Sequence, residues 1–316
     1  MYNEPAPGAG PDEMDILDQV GLVEEQLATL GFDSFRKGIT YNFIAEIEEV
    51  KGLSPDFVFN LVESINNEGQ LIYFAPALLN LSKIPYTGCP LESIFMTSNK
   101  PLALKTMRLG GIPVAGSYRP DQVSELHFGR KYIIKPIWED GSMGITADSV
   151  FTFSPGDEDR LSQLPASHWF LEDYIDGREF NISMFSAQDS VVMLPPAEIE
   201  FRNYGPDRPR IVDFRAKWDT SSFEYHNSVR VFPENLGSDR LYQKLEKVCT
   251  DCWNLFGLRG YARIDIRTDS NDNVYVLEIN ANPCISPDSG FIAACSAGGF
   301  SLEEVFGGII TDLNRP

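Results

Sequence analysis

Two carboxylates, an asparagine and an arginine alternate with apolar residues in two strand-like runs, Gly260 to Thr268 and Val274 to Pro283. Arg263, Asp265 and Arg267 fall on one face of the first run, opposite Ala262, Ile264 and Ile266. In the second, Glu278 and Asn280 share a face opposite Leu277 and Ile279. The connector Asp269 to Asn273 has the turn-forming composition that closes a hairpin. With Ser270 to Asn273 as the loop of an antiparallel pair, Asp265 faces Glu278 and Arg263 faces Asn280. Like charges directly opposite each other destabilise a sheet, and a divalent cation between them reverses the sign. Asp265, Glu278 and Asn280 offer hard oxygen ligands, which suits magnesium or manganese and argues against zinc. The competing reading is a solvated polar face on an ordinary hairpin. The apolar ladder around these residues, ending in Asn280-Ala-Asn-Pro283, favours the metal.

The chain that must position them has 316 residues, enough for a sizeable core in two or three compact units. Its 43% hydrophobic and 12% aromatic content is that of a globular protein. No apolar run reaches the length of a membrane span, and the amino terminus lacks the layout of a signal peptide, so a cytoplasmic location follows by default. A net charge of −20 works against nonspecific binding to nucleic acid or anionic membrane. Binding a polyphosphate then falls to a few placed lysines and a metal. Composition leaves a monomer and a homodimer equally open.

The five cysteines make no framework. Cys249 and Cys252 have the spacing of a redox or zinc pair. They lie, however, on one helical stripe with Leu241, Leu245, Val248 and Phe256, which marks them as core thiols. His127, His168 and His226 are scattered and support neither a triad nor a zinc centre.

Along the chain, residues 1 to about 14 look like an irregular arm, and Ile16 to Leu30 like an amphipathic helix stopped by Gly31. Asp56 to Leu61 has the look of a buried parallel strand. Glu68 to Leu81 looks helical, Pro85 to Gly88 forms a loop, and another helix runs from Thr97 to Gly110. Tyr132 to Pro136 and Trp169 to Ile175 read as strands, and Phe180 to Phe185 with Val191 to Leu194 as an antiparallel pair. The alternation of strand and helix up to residue 98 suits an open α/β layer, with an α+β second half. The expected divisions are 1–98, 99–180 and 181–316.

In this order the motifs resemble the ATP-grasp superfamily, and within it the D-alanine–D-alanine ligases. The resemblance rests on Ile133-Ile-Lys-Pro136, Asp140-Gly-Ser-Met-Gly144, Leu171 to Glu179, Ala216-Lys217, Arg263-Ile-Asp265 and Glu278 to Pro283. It is helped by Pro85 to Gly88, Asn99-Lys100 and Gly111 to Pro113. It implies an ATP-grasp fold behind an N-terminal open parallel α/β domain, with ATP between the central and C-terminal parts. Lys100, Lys135 and Lys217, the last on a loop after Ile211 to Phe214, resemble the phosphate-binding lysines. Gly141, Ser142 and Met143 would cover the phosphates, Ser142 also standing in the catalytic set. Glu172, Tyr174 and Ile175 match the adenine segment, and Glu179 the ribose carboxylate. Asp265, Glu278 and Asn280 match the ligands of two magnesium ions, for which manganese would substitute. Arg263 matches an arginine that stabilises a tetrahedral oxyanion, with a backbone amide near Cys284 as second donor. Ser289 matches a serine that holds the second substrate's carboxylate. The implied chemistry joins small amino-acid substrates through an acyl phosphate, in cell-wall peptide synthesis.

Three departures bear on substrate. No glycine-rich opening strand with its glutamate and serine is found, so the opening strand looks missing or replaced. Trp218 stands where a loop-closing tyrosine is usual, and Asp288 where histidine is common. A replacement anchor is Glu63, at the carboxyl end of the run 56–61, where open α/β sheets place ligands. An exposed loop carboxylate is the plain alternative. The leading expectation is an ATP-dependent carboxylate–amine ligase making a dipeptide, D-alanyl-D-alanine by default. Ligases for other amino acids or peptides, a phosphotransferase, and a nucleotide-binding module without turnover are the rivals.

Overall fold

A computed structural model describes residues 1–139, 141–187, 190–235 and 240–314. Asp140 of the glycine-bearing loop lies outside the described residues. The amino-terminal part is a lean parallel arrangement. β1 (Tyr2–Asn3) precedes α1 (Pro11–Thr29), and pairs parallel with β2 (Gly38–Ile39), which leads to α2 (Phe43–Gly52). The run 56–61 lies extended beside β1, with parallel bridges from Leu61 to Tyr2 and from Val58 to Tyr86. It makes no regular ladder because Asn60 diverts it. The Asn60 side-chain oxygen accepts from Val62 N, and the Asn60 backbone N–H donates to Thr87 Oγ1. β1 has two residues, too few to leave an alternation in the sequence. α1 begins five residues earlier than its apolar stripe, because Pro11 and the acidic Asp12 and Glu13 favour a first turn.

Two helices were expected as one or misplaced at their ends. Residues 68–81 split into a short turn, Gly69–Leu71, and α3 (Phe74–Ser82). Ahead of residue 100 comes α4 (Leu91–Ser98), and α5 (Lys100–Leu109) follows with Asn99 between them. Asn99 is extended and accepts from Leu102 N, so it caps α5 and breaks the run. A four-stranded antiparallel sheet comes next. It contains β3 (Ser117–Tyr118), β4 (Lys131–Pro136), β5 (Val150–Thr152) and, after α6 (Asp157–Ser162), β6 (Trp169–Asp173), in the order β3-β6-β4-β5. Ile133 pairs with Glu172 and Lys135 with Phe170, which places Lys135 and Glu172 on one face.

The large sheet has the order β10-β9-β7-β11-β12, with β8 also on β7. Its strands are β7 (Glu179–Ala187), β8 (Ser190–Met193) and β9 (Ala197–Phe201); after α7 (Phe214–Trp218) and α8 (Phe223–Asn227) comes β10 (Ser228–Val231). Beyond α9 (Arg240–Phe256) lie β11 (Tyr261–Thr268) and β12 (Val274–Asn280), followed by α10 (Gly290–Ala297) and α11 (Leu302–Thr311). β9 and β10 escaped the sequence reading, although Ala197, Ile199 and Phe201 alternate with Glu198 and Glu200, and Val229 and Val231 flank Arg230. The hairpin has the expected register: Arg263 faces Asn280 and Asp265 faces Glu278. A bulge after Asp265 then leaves Leu277 as the extra residue, so Ile266 faces Val276. Behind this face, Ala262, Ile264, Ile266, Val276 and Ile279 pack with Leu245, Val248, Cys249 and Cys252 of α9. All cysteines are free, and this pair is buried, as its stripe required. Among the described residues no helix is long and apolar enough to cross a membrane.

Candidate active site

The polar face of the β11–β12 hairpin gathers cations around its carboxylates. Arg263 donates to both oxygens of Asp265, from Nε at 2.8 Å and Nη2 at 2.9 Å. Lys100, at the start of α5 and 4% exposed, lies 3.6 Å from Glu278 and donates to the Glu139 carbonyl at 2.6 Å. Lys135 pairs with Glu172 across the smaller sheet. Burial pushes Glu278 upward, but Lys100, Lys217, Lys135 and Arg263 together outweigh it and hold the group at about 2. Glu278 is thus anionic throughout the working range. Burial pushes Lys217 below the usual lysine value, and Arg263 adds to the shift while Glu278, Asp265 and Glu179 oppose it.

Among the described residues no group of three or more His, Cys, Asp or Glu gathers as a metal cage. The candidate set is two carboxylates and an amide on one face, all hard oxygen donors, with one carboxylate held fully ionised. That chemistry fits magnesium. Asp265 spends both oxygens on Arg263, yet each keeps a further lone pair.

Two loops close over this face. Gly141, Ser142 and Gly144 all have positive φ, at 65°, 65° and 73°. Glycine takes that conformation freely, whereas Ser142 is strained there and is held by its hydroxyl, which donates to the Val212 carbonyl at 2.6 Å. The partner loop carries α7. Asp213 caps it by accepting from Ala216 N, so Lys217 stands on a helical turn rather than on the loop expected. Trp218 Nε1 donates to the Gly141 carbonyl at 3.3 Å, and Phe214 N to the Ile145 carbonyl. Met143 is 40% exposed at the tip.

At the other end of the cleft lies the crossover from β6 to β7. Glu172 is 1% exposed, and its Oε1 has no hydrogen-bond partner, a buried acceptor that fits an amino group. Burial raises Glu172 despite Lys135. Glu179 accepts from Arg267 at 3.0 and 2.7 Å, and Arg267 also donates to the carbonyls of Ile175 and Arg210. The guanidinium lies 5.3 Å from the Tyr174 ring centre. A cavity of about 410 Å³ opens beside Tyr174 and Ile175, bounded also by Gly116, Lys131 and Tyr275.

Residues 132–311, more than half of the chain, match the family model described as D-ala D-ala ligase C-terminus. The chain belongs to the D-alanine–D-alanine ligase family. The uncharacterized protein y4sG of Sinorhizobium fredii is 26% identical over 266 residues, 82% of this chain and 74% of its own. The D-alanine–D-alanine ligase of Parvibaculum lavamentivorans is 24% identical over 280 residues, 84% of this chain and 83% of its own. The crystal structure of the Bacillus anthracis ligase complexed with ATP matches with a TM-score of 0.68 at 18% identity, over 98% of this chain and 95% of that one. The mixed helix-and-sheet architecture is thus that of the ATP-grasp ligases, and the family supports a ligase.

Against that family the candidate residues fall into three groups. Lys100, Lys135, Lys217, Glu172, Arg263, Asp265 and Glu278 form one electrostatically linked set around the hairpin; Asn280 ends the same face and accepts from Asn282 N. Tyr174, Ile175 and Glu179 converge on Arg267. Glu63 and Ser289 make hydrogen bonds to other partners. Glu63 accepts from Gln19 Nε2 at 2.9 Å, Gln19 also reaches Asp15, and Gln19 Oε1 accepts from Ile285 N. The Cys284 thiol donates to Asp15 at 3.0 Å, and burial followed by Glu63 and Asp15 pushes it upward. Ser289 caps α10, accepting from Ile292 N. Sequence reasoning missed Arg267 as a site residue, although its alternation with Asp265 carried the signal. It also missed Gln19 and Asp15, for which the helical pattern of α1 offered none.

Proposed function

We propose that the protein is an ATP- and magnesium-dependent carboxylate–amine ligase that forms a dipeptide through an acyl phosphate, with D-alanyl-D-alanine the default product. The observation that carries this reading is the convergence of Lys100, Lys135, Lys217 and Arg263 on the Glu278 face. A polyphosphate needs such a set in a protein of net charge −20. Asp265, Glu278 and Asn280 would hold the metal, which when bound neutralises charge on the transferring phosphoryl group. Lys100, Lys135 and Lys217 bind the phosphates, and the Gly141–Gly144 loop, latched to α7, keeps water out. The unpartnered Glu172 oxygen and the Ile175 backbone hold adenine, and Glu179 faces the ribose. A substrate carboxylate attacks the γ-phosphorus and ADP leaves, and the amine of the second substrate then attacks the acyl carbon, expelling phosphate and losing a proton to give the amide. Arg263 stabilises the oxyanion that develops there.

Glu63 would take the ammonium of the first amino acid, at the mouth of the network it forms with Gln19 and Asp15. An anchor of this kind would equally serve the alternative reading, a ligase for other amino acids or peptides. Glu63→Gln is expected to raise the KM of the amino substrate while leaving ATP affinity alone; an unchanged KM disposes of the role.

The deciding experiment is phosphate release from MgATP over a panel of D- and L-amino acids, with mass spectrometry of products and Glu278→Ala as control. Release that requires D-alanine and yields its dipeptide establishes the default product. Another productive pair keeps the mechanism and changes the substrate. A stable phosphorylated product identifies a phosphotransferase, and ATP binding without release under any pair removes the ligase reading.

A further inference from the structure

Arg267 has no task in the proposed chemistry, yet it is 3% exposed at the crossover end of the cleft. A buried guanidinium is costly unless its charge is paired and its N–H groups are met. Here each nitrogen donates. Nε and Nη2 donate to Glu179 Oε2 at 3.0 and 2.7 Å, Nη1 to the Ile175 carbonyl at 2.7 Å, and Nη2 also to the Arg210 carbonyl. Two rings lie close to it, with centres 5.3 Å away for Tyr174 and 5.8 Å for Phe201. Burial lowers its affinity for the proton, but Glu179 and Tyr174 outweigh that effect, so the charge is permanent.

The partners belong to three separate segments. Glu179 opens β7 and faces Arg267 across the β7–β11 ladder. Ile175 lies in the crossover from β6, where a Cβ at Gly177 would overlap the Thr268 carbonyl and the Arg178 carbonyl accepts from Thr268 N. Arg210 belongs to the loop that leads from β9 to α7. Its backbone N–H donates to Tyr174 Oη at 3.0 Å, and Tyr174 Oη donates to its carbonyl at 3.3 Å. Beyond Arg210 the chain enters α7, with Lys217 and with Trp218, whose Nε1 donates to the Gly141 carbonyl. One guanidinium thus joins the start of β7, the crossover and the root of the covering loop. A lysine has no planar fork with which to meet these acceptors.

Both bonds to Glu179 end on Oε2, and among the described residues Oε1 accepts no hydrogen bond. Glu179 also raises the proton affinity of Lys217, so its charge is felt on the phosphate side of the cleft. We propose that Arg267 is a positioning residue with two attachments: it aims Glu179 Oε1 at the ribose, which makes the site select a ribonucleotide, and it pins the covering loop at Arg210. The assignment rests on the nucleotide-binding part of the ligase reading. A carboxylate held by a fork offers its second oxygen in one direction, whereas an unpaired buried carboxylate turns away or takes up a proton. Truncating Arg267 therefore weakens recognition of the ribose and leaves recognition of adenine to Glu172.

The test is calorimetric titration of ADP, 2′-deoxy-ADP, 3′-deoxy-ADP and GDP with magnesium into the full chain, with limited trypsin digestion of the ADP complex. The wild type is expected to bind ADP roughly 10- to 100-fold more tightly than at least one deoxy form, the range for a hydrogen bond to a charged group. Arg267→Met, which keeps an apolar stem beside Tyr174 and Phe201, loses that preference and keeps the preference for ADP over GDP. Arg267→Lys, which keeps the charge but lacks the fork, retains only part of the ribose preference. In both variants trypsin cuts faster after the half-exposed Arg210, while cutting after Lys51 on α2 is unchanged. Where Arg267→Met does not fold, Arg267→Lys carries both readouts. A wild type that binds the three adenine nucleotides equally overturns the assignment together with the ribose role of Glu179. Variants that keep the full ribose preference, or are cut after Arg210 at the wild-type rate, overturn it and leave Glu179 standing. Dipeptide formation is read separately: its absence overturns the ligase reading and leaves this assignment intact.

Discussion

Lys217 is the residue whose charge the site must both use and suppress. Burial and Arg263 hold it below the ordinary lysine value, so without nucleotide it loses its proton earlier as pH rises. A bound triphosphate restores the proton, because a polyanion beside the amine favours its charged form. ATP binding is therefore expected to take up a proton at pH values between the lowered value and that of an ordinary lysine. The check is the dependence of binding enthalpy on buffer ionisation, which Lys217→Arg should abolish. Arg263, Asp265, Glu278 and Asn280 were legible as a set because a strand period of two sorts them onto one face. Arg267 was on that face too, but nothing in the sequence says that its partners are Glu179 and two carbonyls from distant segments. Gln19 was hidden for the same reason: a buried amide in a helix is defined by what it meets, and Glu63 and Ile285 are far away along the chain.

Elements with a strong period were the ones the sequence disclosed. α9 is an example: Leu241, Leu245, Val248, Cys249, Cys252 and Phe256 recur at helical spacing, and all are buried. Leu245→Ala on this stripe is expected to cost about 2–5 kcal/mol, read as a lower urea midpoint. Lys247→Ala on the exposed face should stay within about 0.5 kcal/mol. A Leu245 variant as stable as the wild type would mean that the helix is not anchored through its stripe. β1 was illegible because two residues leave no period to detect, whereas β9 did alternate, Ala197, Ile199 and Phe201 against Glu198 and Glu200, and was overlooked. The bulge at Leu277 was also invisible, since one inserted residue shifts the parity of the strand without altering its composition. Val274, Val276 and Ile279 all reach the core only because of that shift.

At the scale of the molecule, the charge of −20 opposes the ligand that the cleft is built to hold. The far field repels a nucleotide polyanion, and the lysines act only once it is within the cleft. Salt screens the far field beyond about 8–10 Å but reaches buried pairs less. The association rate of metal-free ATP is therefore expected to rise with ionic strength, the reverse of steered binding, and stopped-flow measurements at several salt concentrations check the sign. A falling rate would show that the cationic cleft dominates at long range. The pairing of Tyr86 with Asn314 has a different kind of consequence. Tyr86 N donates to the Asn314 carbonyl, Asn314 N returns the bond, and the Asn314 side chain reaches the Gly88 carbonyl. Residues 38, 2, 61, 58 and 86 thus line up in an arrangement whose last described member is residue 314. On the ribosome the amino-terminal segment emerges first, yet its final strand partner is made more than two hundred residues later. Until then the nascent chain carries an open edge beside Tyr86, and that edge closes only after residue 314 has been made.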